Sequence, residues 1–370
     1  GMYFYFVLMG FFGLAIMLGY RYRIAIITYT LLWAGAYFMQ KSSYNNHYYL
    51  LLLISLLLIF LPANKYASLD VKQNRISEEN TMPYWINLLF IIQIAIVYVF
   101  ASLAKFYPDW LDGTFTKNLL SGTTSRPFFL ELFSQKWFYL FIAYAGILFD
   151  LLIVPFLLFK KTRTLALIAS VIFHIFNSIT LQIGIFPFFA LTFALFFYEP
   201  ETIRRLFLRK KPKLEDENLS QNLYGKRIVY FLMIPYLIIQ IALPLRHHFI
   251  EGDVLWTEEG HRLSWRMMLR ERNGYITIQI KDLKTGSVSI YNYRKNLTNK
   301  QAQNLATKPD FIWQYCQRIK EEYKGKPIAI YIDCKNSINR KEYKSLIDPN
   351  YDMAKAEWNY FAHNEWILLY

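Results

Sequence analysis

The sequence predicts a polytopic α-helical membrane bundle of about eight spanning helices, followed by a small, β-rich α+β domain outside the membrane. Hydrophobic residues make up 55% of the 370 positions, and up to about Leu245 they come in long runs. Beyond that point charged residues interrupt the chain every few positions. Because lipid can solvate only the first part, we divide the chain into a transmembrane domain, residues 1–245, and an extramembrane domain, residues 246–370.

The apolar runs define the predicted spanning helices. A helix rises about 1.5 Å per residue and must cross about 30 Å of hydrocarbon. The stretch 165–198 is too long for one crossing and contains Gly184 and Pro187, so we predict two short helices there. The remaining windows are 3–20, 24–40, 48–62, 84–104, 136–159 and 228–245.

Lysine and arginine in the short loops indicate the orientation of these helices. Assigning loops 21–23, 63–83, 160–163 and 199–227 to the cytoplasm puts 16 basic residues on that side. The opposite loops then hold four, namely Lys41, Lys117, Arg126 and Lys136. The extramembrane domain is therefore predicted on the non-cytoplasmic side.

Charge, cysteine content and motifs argue against several other classes. A net charge of +14 on a soluble domain would suggest a nucleic-acid partner, but 21 of the 41 basic residues lie between or beside the apolar runs, so none is expected. Cys316 and Cys334 are too few for a disulfide framework or a metal cluster, and no metal is expected. Walker, dinucleotide, His-Glu-x-x-His and Gly-x-Ser-x-Gly motifs do not occur, which disfavours phosphate-driven transport and serine hydrolysis.

The extramembrane domain shows patterns of both strands and helices. Residues 275–281 alternate apolar and polar side chains, and a turn signal at 284–286 leads into 287–293, which predicts a β-hairpin. Residues 310–323 have helical spacing, and 327–333 form another strand pattern.

Ionisable side chains near spanning segments mark candidate functional positions, because burying them costs free energy. Lys105, at the end of an apolar run, either snorkels to the headgroups or is desolvated and supplies a neutral amine as a base. His47 follows Asn45 and Asn46 at a predicted helix start, where an asparagine cap is an ordinary structural explanation. Asp150 is a possible partner for such cations.

His174 and Asn177 are three residues apart and so share one helix face. The structural alternative to a functional role is a hydrogen bond to a neighbouring helix, which polar residues in membrane bundles commonly make.

Several segments around these residues resemble the vitamin K-dependent γ-glutamyl carboxylases, and the sequence looks like a prokaryotic homologue with an HTTM domain. The segments that carry the resemblance, in the family's order, are 45–50, 62–70, 93–98, 101–105 with Asp109 and Trp110, 173–178, 252–268, and Trp358. A first spanning helix typical of the family is missing, which we interpret as an N-terminal truncation. The resemblance implies residence in the bacterial inner membrane.

The resemblance also implies a chemistry. In the family a lysine deprotonates a reduced naphthoquinone, which reacts with O2 to give a strong base and a quinone epoxide. That base removes a γ-proton from a peptide glutamate, and CO2 adds to the carbanion. The implied cofactor is reduced vitamin K or menaquinone, and the implied partners are the bilayer, a quinone and a Glu-containing peptide.

Site residues follow from the matching positions. The family's catalytic lysine falls on Lys105 and its essential histidine on His47. The residues expected to bind the quinone are Asn45, Asn46, Gln93, His174 and Asn177. The residues expected to bind the glutamyl substrate are Trp265, Arg266, Arg270 and Arg272, although solvation of the two last arginines at a strand edge is an equal alternative for them.

Two departures keep alternatives open. A second lysine of the animal enzymes is Ala104 here, and the chain lacks the family's longer tail, so epoxidation is better supported than carboxylation. The alternatives are a quinone epoxidase that does not carboxylate and a quinone- or lipid-binding scaffold. A transporter has less support, because the crossings show no inverted repeat.

Overall fold

The computed structural model describes residues 1–39, 41–123, 127–181, 186–212 and 226–370. Arg126, Gly184 and part of the 199–227 loop, which entered the predictions of orientation and helix breaks, lie outside the described residues. The chain divides into two compact units, residues 1–98 with 152–240 and residues 99–151 with 241–370. A functional boundary at 245/246 stays a prediction.

The apolar part of the chain forms helices of very different length. In chain order they are α1 Met2–Leu18, α2 Tyr22–Phe38, α3 Asn46–Phe60, α4 Leu69–Lys72, α5 Tyr84–Leu103, α6 Pro108–Leu111, α7 Thr114–Ser121, α8 Pro127–Ser134, α9 Lys136–Leu158, α10 Lys160–Leu181, α11 Phe186–Thr192, α12 Pro200–Phe207, α13 Lys226–Ile228 and α14 Ile234–Leu245. A wider π-helical turn, Val229–Met233, joins α13 to α14.

Within the described ranges, four helical stretches are long and apolar enough to cross a membrane. They are Tyr84–Leu103, Lys136–Leu158, Lys160–Ile179 and Val229–Phe249. Three apolar helices, Met2–Leu18, Asn46–Phe60 and Phe186–Phe197, are shorter. The prediction of eight crossings is therefore not supported.

Gly19 shows why one of the predicted crossings is short. It adopts a left-handed φ of 60° and donates its N–H to the carbonyls of Ala15 and Ile16, which ends α1 after 17 residues. That length spans only about 25 Å. A Cβ at position 19 would lie 2.4 Å from the Cβ of Ser68, so only glycine fits this turn.

Asp70 fixes the start of α2. Its carboxylate accepts hydrogen bonds from the backbone N–H groups of Arg21 at 2.8 Å and Tyr22 at 3.0 Å, and from the side chain of Asn64 at 2.9 Å. A carboxylate at a helix N-terminus satisfies N–H groups that lack partners inside the helix and complements the helix dipole. The motif 62–70 thus has a structural role in the first unit.

The second unit contains a four-stranded antiparallel sheet in the order β2-β1-β3-β4. The strands are β1 Arg272–Asp282, β2 Val288–Ile290, β3 Ile328–Ile338 and β4 Lys344–Ser345. In β1, Gln279 lies opposite Ile290 of β2, and Arg272 lies opposite Ile338 of β3. The predicted hairpin is confirmed, and the predicted strand at 327–333 runs on to Ile338.

Helices α15 Val254–Thr257, α16 Asn299–Leu305 and α17 Pro309–Glu322 complete this unit, and α17 confirms the helix predicted at 310–323. Alternate β1 residues are buried, as period two requires: Ile276, Ile278 and Ile280. Cys316 and Cys334 lie in the same core as free thiols. Burial raises the pKa of both thiols, that of Cys334 to about 12.

Candidate functional site

Lys105 follows the C-terminal end of α5 and lies inside the second unit. Its Nζ is 2.5 Å from Oδ2 of Asp150 on α9 and 3.0 Å from the carbonyl oxygen of Ala101. The two charged side chains are only 9% and 8% exposed. The lysine therefore does not reach an exposed surface, as a snorkelling lysine would. Asp150, which the sequence offered as a possible partner for a buried cation, is paired with Lys105.

Aromatic and polar neighbours hold this ion pair in place. The ring centroid of Trp110 lies 5.3 Å from Lys105 Nζ, and the indole N–H of Trp110 donates to the carbonyl oxygen of Ala143 at 3.0 Å. The hydroxyl of Ser102 donates to the carbonyl oxygen of Ile147 at 3.1 Å. Since Ala143, Ile147 and Asp150 all lie on α9, these bonds fix the helix that carries the carboxylate.

Asn45, Asn46 and His47 lie at the start of α3 in the first unit. Asn45 is the N-cap, and its Oδ1 accepts the backbone N–H of His47 at 2.7 Å, which confirms the predicted cap. Asn46 is buried and accepts a hydrogen bond from the Tyr44 hydroxyl at 2.7 Å. The His47 ring stacks on Phe186, with centroids 3.5 Å apart.

His174 lies on α10, with the half-buried Asn177 one turn further along the same helix. The Nε2 of His174 is 3.1 Å from the Tyr98 hydroxyl of α5, so the interhelical hydrogen bond weighed as its structural role is present.

Gln93 is the most deeply buried polar residue of this group. It lies on α5 with no exposed surface, and its Oε1 accepts a hydrogen bond from Tyr236 at 2.5 Å. Its Nε2 has no hydrogen-bond partner among the described residues. A buried amide donor without a partner suits an oxygen acceptor such as the hydroxyl of a quinol or the carbonyl of a quinone.

The arginines predicted to bind substrate are already paired in the second unit. Arg270 and Arg272 both donate to Oε1 of Glu258, the latter at 3.1 Å. The arginine side chains are each 7% exposed and that of Glu258 is 12% exposed, so solvation at a strand edge does not describe them. Arg270 Nε and Arg272 Nη2 have no hydrogen-bond partner in the part of the chain that the structure describes.

Electrostatics around Glu258 follow from this crowding of cations. Burial by itself would raise the pKa of Glu258, but Arg270, His261 and Arg272 together hold it well below its usual range. Burial lowers the pKa of Arg272 to about 10, although Glu258 opposes that shift. Burial also lowers the pKa of His261 to about 3, so this histidine is neutral at pH 7.

Trp265 and Arg266 precede this cluster. Trp265 is 1% exposed and has a left-handed φ of 57°. Arg266 is 9% exposed, and its Nη1 is 3.5 Å from Nε2 of His247. Burial and the neighbouring Arg270 lower the pKa of Arg266 to about 10.

Two models of known protein families together match nearly the whole chain. The family model of the HTTM domain matches residues 1–201, and that of the vitamin K-dependent gamma-carboxylase, lumenal domain, matches residues 225–370. The chain belongs to the vitamin K-dependent gamma-carboxylase family. No solved structure matches it.

For this gamma-carboxylase family member, the two domains indicate a carboxylase-like function and a membrane location. Within the first unit lie Asn45, Asn46, His47, Gln93 and His174 with Asn177. Within the second unit lie Lys105 and the residues of the 265–272 segment. Their assigned roles stay predictions.

Sequence reasoning missed several partners in this family member. Glu258 and His261 stand in the 252–268 motif but were not named as the groups beside the arginines, because hydropathy and spacing do not show which buried charges meet. Tyr98 and Tyr236 were missed for a different reason: a tyrosine in an apolar run looks like core. A signal for Glu258 existed, since a buried arginine requires a nearby anion.

Proposed function

We propose that this chain is a membrane carboxylase that couples oxygenation of a reduced naphthoquinone, such as vitamin K hydroquinone or menaquinol, to γ-carboxylation of a peptide glutamate. The observation that carries the proposal is the buried pair of Lys105 and Asp150, joined at 2.5 Å. Family membership supports the carboxylase class. The extramembrane domain would meet the peptide on the non-cytoplasmic side of a bacterial inner membrane.

Lys105 is the proposed base, and Asp150 is the proposed acceptor of the proton that Lys105 must first lose. A lysine ammonium cannot accept a proton until it has lost one. Transfer of one proton from Nζ to Oδ2 of Asp150 leaves an amine and a carboxylic acid, and the pair is neutral overall before and after. The amine lone pair can then accept the proton of a quinol hydroxyl, which is general-base catalysis.

The quinone-side residues of the first unit have the chemistry to bind and orient a planar quinol. Gln93 Nε2 offers a buried donor, and the His47 ring stacks on Phe186. Asn46 adds a buried amide next to His47 in the chain. The bound quinol with O2 would supply the strong base that removes the glutamate γ-proton, after which CO2 adds.

On the substrate side, the arginines beside Glu258 could bind a carboxylate. Arg270 Nε and Arg272 Nη2 are buried donors without partners among the described residues. Guanidinium groups bind carboxylates through charge-assisted hydrogen bonds, which are stronger than neutral ones. Both arginines already share Glu258, so the peptide glutamate would bind to the donors that Glu258 leaves over.

The decisive experiment is epoxide formation by the purified protein in detergent. Wild type is incubated with reduced vitamin K or menaquinol and O2, and quinone epoxide is measured by chromatography. We expect epoxide from wild type and a loss of about 100-fold or more in Lys105→Ala, because a general base contributes about 10²–10⁴ in rate. Lys117→Ala, at an exposed lysine, is the matched control and keeps wild-type turnover.

Labelled CO2 separates the two halves of the proposed reaction. Incorporation of label into a glutamyl peptide, dependent on Lys105, supports the coupled carboxylase. Epoxide without label indicates the non-carboxylating epoxidase. Absence of epoxide from wild type, or undiminished epoxide in Lys105→Ala, contradicts the role of Lys105 and favours a quinone- or lipid-binding scaffold.

A further inference from the structure

Asp109 is a buried carboxylate that the proposed mechanism does not use. It lies on α6, four residues after Lys105, and is 7% exposed. Its Oδ2 accepts a hydrogen bond from Nδ2 of Asn339 at 2.8 Å, and its Oδ1 is 2.6 Å from Nζ of Lys341. Both partners come from the turn that follows β3, so Asp109 ties the segment after Lys105 to the sheet.

The turn that binds Asp109 is itself tightly held. Asn339 adopts a left-handed φ of 52°, which asparagine tolerates better than most residues. Its backbone N–H donates to the carbonyl oxygen of Glu271 at 2.9 Å, and its Oδ1 accepts the N–H of Glu271 at 3.0 Å. The amide is thereby oriented with its NH2 group toward Asp109, and the start of β1 anchors it.

A short chain of contacts continues from Asp109 to the ion pair. The adjacent Trp110 lies against Lys105 Nζ and bonds to Ala143 on α9, the helix that carries Asp150. The backbone N–H of Tyr107 donates to the carbonyl oxygen of Lys105 at 2.9 Å. The segment 105–111 is therefore held on two sides. Trp110 bonds it to α9, and Asp109 bonds it to the turn after β3.

We propose that Asp109 is a positioning residue through which the extramembrane sheet holds the Lys105 amine against Asp150. Hydrogen bonds to a buried carboxylate are charge-assisted and short, and loss of a partner leaves that charge unsatisfied. Without its bonds to the sheet, α6 shifts and the lysine leaves the carboxylate. The catalytic consequence rests on the proposed function, whereas the placement of the amine does not.

The test replaces the side-chain nitrogen of Asn339, which donates to Asp109, by an oxygen. Asn339→Asp keeps the size, the turn conformation and the acceptor for Glu271, but turns the donor facing Asp109 into a second acceptor. Its matched control is Asn273→Asp, an exposed asparagine of β1 whose Nδ2 donates to the carboxylate of Glu271 at 3.3 Å. Lys341→Met is a second, milder variant that removes the ion pair of a 61% exposed lysine side chain.

The readout is the rate at which the Lys105 amine is methylated by formaldehyde and a borane reductant, followed by mass spectrometry of the detergent-purified full chain. We expect methylation about tenfold faster in Asn339→Asp, a smaller increase in Lys341→Met, and wild-type rates in Asn273→Asp. A melting curve for each variant shows that it is folded. Unchanged methylation in both Asn339→Asp and Lys341→Met, or an equal rise in the Asn273→Asp control, overturns the proposal.

Epoxide formation by the same proteins then distinguishes failure of the positioning role of Asp109 from failure of the proposed function. If wild type forms epoxide, positioning predicts that Asn339→Asp lowers kcat about tenfold and leaves the KM for the quinol within about twofold. A raised KM with unchanged kcat contradicts positioning of the base. If wild type forms no epoxide, the proposed function fails, and the methylation rates alone decide the position of the amine.

Discussion

Two buried charge clusters in the second unit differ in balance. Lys105 and Asp150 form a pair of one cation and one anion. Glu258 is one anion that binds two arginines, Arg270 and Arg272. The Lys105–Asp150 pair has no net charge, whether the proton is on the lysine or on the aspartate. The Glu258 cluster has a net positive charge, and moving a proton within the cluster does not change it.

This difference separates a group that can exchange a proton from one that can only bind. An arginine does not give up its proton at neutral pH, so the Glu258 cluster attracts an anion without acting as an acid or a base. A lysine next to a carboxylate can lose a proton and recover it. This contrast supports the proposal that Lys105 carries the proton chemistry and that the arginines bind a carboxylate. The tests below address the two roles in order of expected effect.

Glu258→Gln is expected to destabilise the fold most. Breaking a buried ion pair by removing one partner costs about 3–5 kcal/mol, because the arginines stay buried without their anion. A lower melting temperature in detergent measures this. Glu271→Gln is the matched control, since its pair with Arg340 is 37% and 53% exposed and worth less than about 1 kcal/mol. Equal melting temperatures for the two variants would show that Glu258 contributes no more to stability than the exposed Glu271.

Asp150→Asn is expected to reduce the rate of epoxide formation by the folded protein about 100-fold. Because Lys105 then stays buried without its anion, the melting temperature also falls, and a melting curve is recorded beside each rate. The amide keeps the shape of the side chain but cannot take a proton from Lys105. Asp112→Asn, at an exposed aspartate, is the control and leaves the rate unchanged. Wild-type turnover in Asp150→Asn would show that a group other than Asp150 takes the proton from Lys105.

Acid is expected to destabilise the Glu258 cluster through His261. The pKa of His261 is about 3 in the folded chain, against an ordinary value of 6.5. Between these values the unfolded chain binds a proton that the folded chain does not, so stability falls as pH falls below 6.5. Lowering the pH from 6.5 to about 5 costs about 2 kcal/mol.

Melting curves across this pH range test the expectation, and His261→Gln should make their pH dependence less steep by the share of this one group. His248→Gln, at an exposed histidine, is the control and should keep the acid sensitivity of wild type. If His261→Gln melts with the same pH dependence as wild type, another group titrates.

The sheet of the second unit and helix α17 could be predicted from the sequence, but the number of spanning helices could not. Period-two alternation at Ile276, Ile278 and Ile280 identifies β1 directly, because burial of one face leaves that pattern in the chain. Hydropathy located α1 Met2–Leu18 within two residues of the predicted window 3–20. It could not show whether each apolar window forms a helix long enough to cross a membrane, and Asn46–Phe60 and Phe186–Phe197 are shorter than that.

At the candidate site, single residues could be named but their partners could not. The motifs point to Lys105, yet Asp150 is 45 positions further along the chain and only the packing of α5 beside α9 brings the two together. The same holds for Asp109 and Asn339, which are 230 positions apart. Long-range pairs of this kind leave no periodic signal in one sequence.

The two buried cysteines have a practical consequence. Cys316 and Cys334 have no exposed surface, and their raised pKa values keep both thiols protonated at neutral pH. Because maleimides react with the thiolate, we expect the two thiols of this chain to be unreactive toward them. A single cysteine placed in a loop can therefore be tested on intact cells with a membrane-impermeant maleimide, which reaches only external loops. This measures membrane orientation without first replacing the two natural thiols.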